Sequence, residues 1–251
     1  MAGRHRITGT GSNNNLVGTS KDEEIFGLGG NDTLTGAGGN DDLYGGAGTD
    51  TAVFSGSFAQ YNFKSLKKGM QVTHASGTRT DGKDYVDEDV ELLRFRDVTI
   101  DLRRNYSPIA IADTNGNDSV RERGGVNNAA TGDSTAAGNV LGNDTDIDVT
   151  LGRQTLSAVA KTITGTFGTL KLKANGQWTY TLNDSDADTQ RLAQGTVGYD
   201  VFTYTVRDGA GATATGTLKI TVEGSNDAPV ITSTLLNARG TVIESGNADD
   251  G

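Results

Sequence analysis

The chain contains no cysteine and only two prolines. Without cysteine there is no disulfide, no thiolate metal site and no cysteine nucleophile. Aromatic residues are scarce at 6%, and the hydrophobic class reaches only 34%. That is too little apolar material for a large core around an enclosed catalytic pocket. No apolar run approaches the roughly 18 residues that a membrane-spanning helix needs. The opening residues, Met1 to Arg6, lack the apolar stretch of a secretory signal. The expected location is therefore the cytosol, or the exterior by a route that does not read the N-terminus. Positive charge is also short: 22 Lys and Arg stand against 32 Asp and Glu, a formal net charge of −10. Phosphate backbones and anionic membrane surfaces repel such a chain. Nucleic acid is excluded as a partner, and cations become the favoured ligands.

Glycine is plentiful: 36 of 251 residues, twice the usual share of roughly 7%. The length predicts two or three modules. Between Gly9 and Val53 the sequence falls into a nine-residue register, including GLGGNDTLT over 27–35 and GAGGNDDLY over 36–44. The first position is glycine in all five blocks. The sixth reads Asn14, Glu23, Asp32, Asp41 and Asp50, and the eighth reads Leu16, Ile25, Leu34, Leu43 and Ala52. Glycine with Asn or Asp over six residues makes a turn, and three residues make a short strand. Stacked in parallel, such units form a solenoid with a thin apolar spine. One unit buries almost nothing, so another force must hold the turns together.

Beyond Val53 the character changes. Tyr61, Phe63, Val72, Tyr85 and the alternating run Leu93 to Leu102 predict a small β cap that closes the solenoid. Asn105 to Pro108 reads as a linker. From 109 to 224, strands are expected at Thr169–Lys173 and Trp178–Leu182 around Asn175-Gly176. A second pair is expected at Asp200–Val206 and Thr215–Val222 around Asp208-Gly209. One helical turn is expected from Asp188 to Leu192, capped by Asp186 or Asp188. Many short strands separated by turn signals predict a β-sandwich. The tail then repeats itself: Pro108 and Pro229 lie 121 residues apart, and Glu122 and Glu244 lie 122 apart. The chain is expected to stop inside a second copy of the module, as a monomeric fragment of a longer tandem protein.

The stretch from Gly27 to Asp50 follows the pattern G-G-x-G-x-D-x-U-x, a calcium-binding solenoid repeat. Ca²⁺ takes six to eight hard oxygen ligands at roughly 2.3–2.6 Å. Glycine turns expose carbonyls and each turn adds one carboxylate, so two stacked turns can close an oxygen cage. Because the chain changes sides every nine residues, partners lie two repeats apart. Asp32 with Asp50 is the best pair. Glu23 with Asp41, and Asn14 with Asp32, are poorer. Gly30, Gly39 and Gly48 complete the expected metal set.

These residues carry a resemblance. Residues 9–53 resemble RTX repeats (hemolysin-type calcium-binding repeats), found in proteins exported by bacterial type I secretion, and 54–102 resemble the β segment that follows them. Residues 109–229 resemble a VCBS repeat, a cadherin-like sandwich found in tandem in large bacterial surface proteins and adhesins. The likeness rests on Gly138 to Asp148, Gly168 to Leu170, Asn175-Gly176, Phe202 to Asp208 and Asn226 to Pro229. The chain departs from the family at Val149 to Gly152, where another Gly/Asp turn is usual, and at Tyr106, where the second linker has Asp227. The expected fold is all-β: a short parallel β-roll (1–53) with a β cap (54–104), then a cadherin/Ig-like β-sandwich (105–224), with 225–251 opening a truncated module.

Asp144, Asp146 and Asp148 alternate, as in the first half of an EF-hand. Val149 stands where the EF-hand needs glycine and Thr155 where it needs glutamate. A cadherin-like junction site with Glu122 and Asp227 is the better metal reading, and turn capping is the other. Asp184, Asp186 and Asp188 read as helix caps. His5 is placed in a frayed terminus and His74 on the cap surface. There is no G-x-S-x-G, H-E-x-x-H or phosphate loop, and neither proline follows aspartate, so self-cleavage at Asp-Pro is not expected. The resemblance implies a non-enzymatic, calcium-dependent extender of an extracellular or cell-surface protein. Two alternatives stay open: the C-terminal secretion and calcium-binding region of a secreted enzyme, or an adhesion module contacting cell-surface glycan or protein.

Overall fold

The computed structural model describes residues 4–78, 80–124 and 131–225. Two stacked sheets form the N-terminal part. One runs in the order His5–Thr8, Glu23–Gly29, Asp42–Ala47, Lys83–Val86, Met70–His74, Tyr61–Ser65. The other runs Thr99–Asp101, Leu92–Arg94, Thr51–Val53, Thr33–Thr35, Asn15–Val17. Within the repeats all pairing is parallel, and partners are eighteen residues apart: Ile7 with Ile25 and Ile25 with Leu43, Leu16 with Leu34 and Leu34 with Ala52. This register follows from the nine-residue period, which sends each strand to the sheet opposite its predecessor. Ile25, Leu34, Leu43 and Ala52 are wholly buried and form the spine.

The first strand corrects the placing of His5 in a frayed end. His5 pairs with Glu23 at the sheet edge, and its side chain is exposed. The cap extends both sheets before it closes them. Leu43 pairs in parallel with Val86, and Ala52 with Leu93. Antiparallel neighbours then end the stack. His74 also corrects its surface assignment. Met70, Val72 and His74 alternate inward, so His74 is buried, with its ring stacked on Tyr61 at 4.4 Å. Its Nδ1 lies 3.4 Å from Asp81, whose carboxylate also accepts from the Tyr61 hydroxyl and the Ser55 amide.

The C-terminal part is a sandwich. One sheet holds Asp113–Thr114, Thr213–Glu223, Val197–Arg207 and Ser157–Ala158, with Val120–Arg121 beside Thr213–Glu223. The facing sheet holds Thr135–Asn139, Gln177–Leu182, Gly168–Leu172 and Lys161–Thr164. The long hairpin turns through a left-handed Gly211 rather than at Gly209, and the shorter one through Gly176. Trp178, Tyr180, Phe202, Tyr204 and Ile220 fill the core. Asp200 is buried in it and accepts from the amides of Thr166, Phe167 and Gly168 and from the Tyr180 hydroxyl. The expected helical turn is a 3-10 turn, Thr189–Arg191. Asp188 stands at its N-cap without a side-chain cap bond, while Asp186 accepts from the Asp188 amide.

The two parts are joined by more than a tether. Leu151, which follows the helical turn Ile147–Thr150, is wholly buried in the core of the cap, with Ile147 and Tyr106 packed against it. The Tyr106 amide donates to Asp148 at 2.8 Å, Asn105 to Asp208 at 2.7 Å, and the Tyr106 hydroxyl lies 3.0 Å from the Asp101 amide that it accepts from.

Candidate metal centre

Along each side of the roll runs a ladder of carboxylates. The amide of Asn14 donates to Asp32, that of Glu23 to Asp41 and that of Asp32 to Asp50, each at 2.7 Å. A second ladder joins the fifth positions: Asn31 donates to Asn13, Asn40 to Asp22 and Thr49 to Asn31. The expected pairs are thus brought together, with one oxygen each of Asp32, Asp41 and Asp50 tied to the stacked turn before it.

The side-chain oxygens not held this way separate the five turns into two kinds. In the first two they are satisfied within the turn: the Thr10 amide donates to the one side-chain oxygen of Asn14 and the Thr19 amide to Glu23. In the last three the second residue is left-handed, with φ of 77° at Leu28, 67° at Ala37 and 100° at Gly46. Leu28 and Ala37 are the non-glycine residues with positive φ among those described, a conformation that costs of order 1–3 kcal/mol. The Oδ2 atoms of Asp32, Asp41 and Asp50 are left buried without a hydrogen-bond partner. A buried carboxylate oxygen with no partner carries its full desolvation penalty. Burial pushes the Asp41 carboxyl up to about 7 and raises that of Asp50.

Each of these oxygens faces the first glycine of its own turn. A Cβ on Gly27 would run into the Asp32 carboxylate and the Gly45 carbonyl, and one on Gly36 into Asp41. Only glycine leaves this cradle open. Gly30, Gly39 and Gly48 act differently: φ of 97°, 111° and 145° bends each turn over the backbone of its neighbour. At Gly27 and Gly45 a carboxylate oxygen and a backbone carbonyl converge on one slot, the hard donor type that Ca²⁺ takes. Among the described residues no three Asp, Glu or His side chains gather as metal ligands, so backbone carbonyls must supply most of any coordination in the roll.

The sandwich carboxylates diverge. Asp144 accepts from the Ile111 amide and Asp146 from the amides of Asp148 and Val149, each leaving one buried oxygen without a partner. Burial raises both carboxyls. Both oxygens of Asp148 are engaged, by the Tyr106 amide and the Arg153 guanidinium. Asp146 caps the helical turn Ile147–Thr150 and Asp148 clamps the junction through Tyr106, while the second oxygens of Asp144 and Asp146 stay open. Glu122 stands apart from these three carboxylates. It accepts from Gln190 and from the Ser225 amide at the Glu223 end of the long hairpin, whereas Asp208 and its partner Asn105 lie at the Thr213 end. Eleven residues of strand separate the two ends, roughly 35 Å at strand rise. Asp227 lies outside the described residues. Asp184 accepts from the Arg123 amide.

Sequence reasoning missed four acidic residues of the cap. Asp84 accepts from the Asp41 amide, Glu91 from the Asp50 amide and Asp89 from the amides of Gly45 and Gly46. Asp81 is the buried partner of Tyr61 and His74. Burial pushes Asp84 up to about 8 and raises Asp89. The signal for Asp84 lies in Gly82-Lys-Asp-Tyr-Val86, which reads as positions four to eight of the repeat.

Residues 17–52 match the RTX calcium-binding nonapeptide repeat in four copies, and residues 105–224 match the bacterial cadherin-like domain. No curated protein matches the chain. The chain is all-β and carries both elements, which mark a calcium-binding, adhesion-type repeat region and point to an extracellular or secreted setting. Among the described residues no helix is long and apolar enough to cross a membrane.

Proposed function

We propose that this pairing of RTX repeats with a cadherin-like domain is a calcium-triggered structural extender of a secreted bacterial surface protein. The reading rests on the buried, unpartnered Oδ2 atoms of Asp32, Asp41 and Asp50, each beside a cradle that only glycine leaves open. Without a cation these oxygens oppose folding; with one they become ligands, and binding free energy becomes folding free energy. Asp32, Asp41 and Asp50, with carbonyls of the facing turns, would hold Ca²⁺, whose charge would offset the stacked carboxylates. Calcium is scarce in the cytosol and abundant outside, so the chain would pass through export unfolded and set on arrival. The sandwich, clamped to the cap through Leu151 and Asp148, would extend the roll as a spacer. In this reading the segment is not an enzyme.

The adhesion reading draws less support. Trp178 is buried in the sandwich core, and Tyr199, about half exposed, lies under Lys219 Nζ at 3.7 Å from its ring centroid. Far-UV circular dichroism of the full chain in EGTA and in millimolar CaCl₂ tests the proposal. Calcium should add β signal, while emission from Trp178, the chain's one tryptophan, stays constant. Identical spectra in both buffers would overturn it.

A further inference from the structure

All three turns with an open carboxylate oxygen stack on an earlier repeat, but only the turn at Asp32 has a later repeat on its other side. Beside the turns at Asp41 and Asp50 the cap takes that place. We propose that the cap completes two divalent-cation sites, one between Asp41 and Asp84 and one between Asp50 and the Asp89–Glu91 turn. This inference rests on the calcium reading of the roll and extends it to residues outside the repeats.

For the first site, Gly82 to Val86 occupies the place of a sixth repeat although 28 residues of cap intervene between Val53 and Gly82. Gly82 has φ of 76°, and a Cβ there would strike the Gly39 carbonyl, just as one on Gly48 would strike that of Gly30. The Lys83 amide donates to Asn40 at 3.1 Å, continuing the fifth-position ladder. The Asp41 amide donates to Asp84 at 2.9 Å, continuing the sixth. Tyr85 and Val86 pair with Asp42 and Leu43, which themselves pair with Glu24 and Ile25. Asp84 is buried, and the wholly buried Asp41 Oδ2 beside it has no partner. Asp84 therefore stands to Asp41 as Asp50 stands to Asp32.

The second site reaches the same end with an unrelated sequence. From Leu43 to Ala52 is nine residues, but from Val86 to Leu93 is seven, so the cap turn is too short to copy the repeat. Even so, a Cβ on Gly45 would meet the Asp50 carboxylate and the Asp89 carbonyl, as one on Gly27 meets Asp32 and the Gly45 carbonyl. Asp89 thus supplies the carbonyl of a first-position glycine. Glu91, with one methylene more than aspartate, reaches the Asp50 amide at 2.7 Å. The wholly buried Asp50 Oδ2 again lacks a partner.

The number of tight ions on the full chain decides the matter, counted by native mass spectrometry and titration calorimetry with CaCl₂. The wild type is expected to hold three, and D84N and E91Q one fewer each. Both variants should keep the ion at Asp32, which D32N removes. E91Q changes a half-buried residue and so decides the site at Asp50 even if D84N does not fold. The ion count of the wild type, three or two, then decides the site at Asp41. Full calcium occupancy at unchanged affinity in a folded D84N and in E91Q would overturn the inference and leave the repeat site at Asp32 standing. A wild-type chain that takes up no calcium would instead sink the proposed function itself.

Discussion

The amide of Asp32 donates to the carboxylate of Asp50 across 2.7 Å, although eighteen residues separate them. One oxygen each of Asp32, Asp41 and Asp50 thus acts as a strut between turns, and the other is open to a cation. The strut needs no metal, so a metal-free roll retains a template for its register. The free oxygen decides whether that register is stable.

The cradle leads to a contrast between glycines. Gly27→Ala drives a methyl group into the Asp32 carboxylate and the Gly45 carbonyl, whereas a Cβ on Gly11 meets nothing within 4 Å. G27A is expected to cost about 1–3 kcal/mol, as overpacking does. G11A should stay within roughly 0.5 kcal/mol of wild type. Calcium-loaded thermal melts of the two variants measure this, and equal midpoints would remove the steric role of Gly27.

Acidity should replace calcium in part. Burial holds Asp41 up at about 7 and Asp84 up at about 8, both above the unfolded value of roughly 3.9. In that interval the folded, metal-free chain binds more protons than the unfolded chain. Their contribution is complete below about pH 4 and is lost as pH rises through 7 and 8. In EGTA the roll is therefore expected to show a melting transition at pH 5.5 that falls in temperature or is lost by pH 8.5. In saturating calcium that fall should vanish, because binding expels the same protons. Calorimetric scans at the two pH values check the sign.

Leu151 belongs by sequence to the sandwich and by packing to the cap. L151A should cost about 2–5 kcal/mol, the usual cost of a cavity at a buried leucine. The loss should appear in the calcium-dependent transition of the roll and leave Trp178 emission in place. Loss in the sandwich transition alone would mean that the two parts fold independently.

Inside the sandwich, Asp200 satisfies three backbone amides and the Tyr180 hydroxyl. D200A strands all four donors and is expected to destabilise the sandwich by about 3 kcal/mol or more. Y180F removes one bond and should cost about 1 kcal/mol. Denaturant melts followed by Trp178 fluorescence measure both, and a D200A midpoint equal to that of Y180F would contradict the assignment.

Much of the fold is legible in the residues. Gly at position one, an acid at six and an aliphatic at eight define turn, strut and spine, because each acts within a few residues or at a fixed offset of eighteen. The Asn175-Gly176 hairpin is readable for the same reason, since positive φ is a local demand. His74 was misread because alternation shows which residues share a face and does not show which face is buried. For Asp144, Asp146 and Asp148 the sequence leaves metal binding and turn capping both open, because even spacing does not say where a helical turn begins. It begins at Ile147, and Asp146 caps it.

By itself, then, the sequence determined the period, the two-sided stacking, the apolar spine and the acid donors of the roll. Only the tertiary structure decided which of those donors are left open and what faces them. Left-handed residues at 28, 37 and 46 free the oxygens of Asp32, Asp41 and Asp50, and a chain returning 41 to 43 residues later brings Asp84 and Glu91 opposite two of them. The reason is physical. A repeat encodes contacts at a constant offset, whereas the end of a stack must be closed by whatever the chain folds back onto it, at a separation that no period specifies.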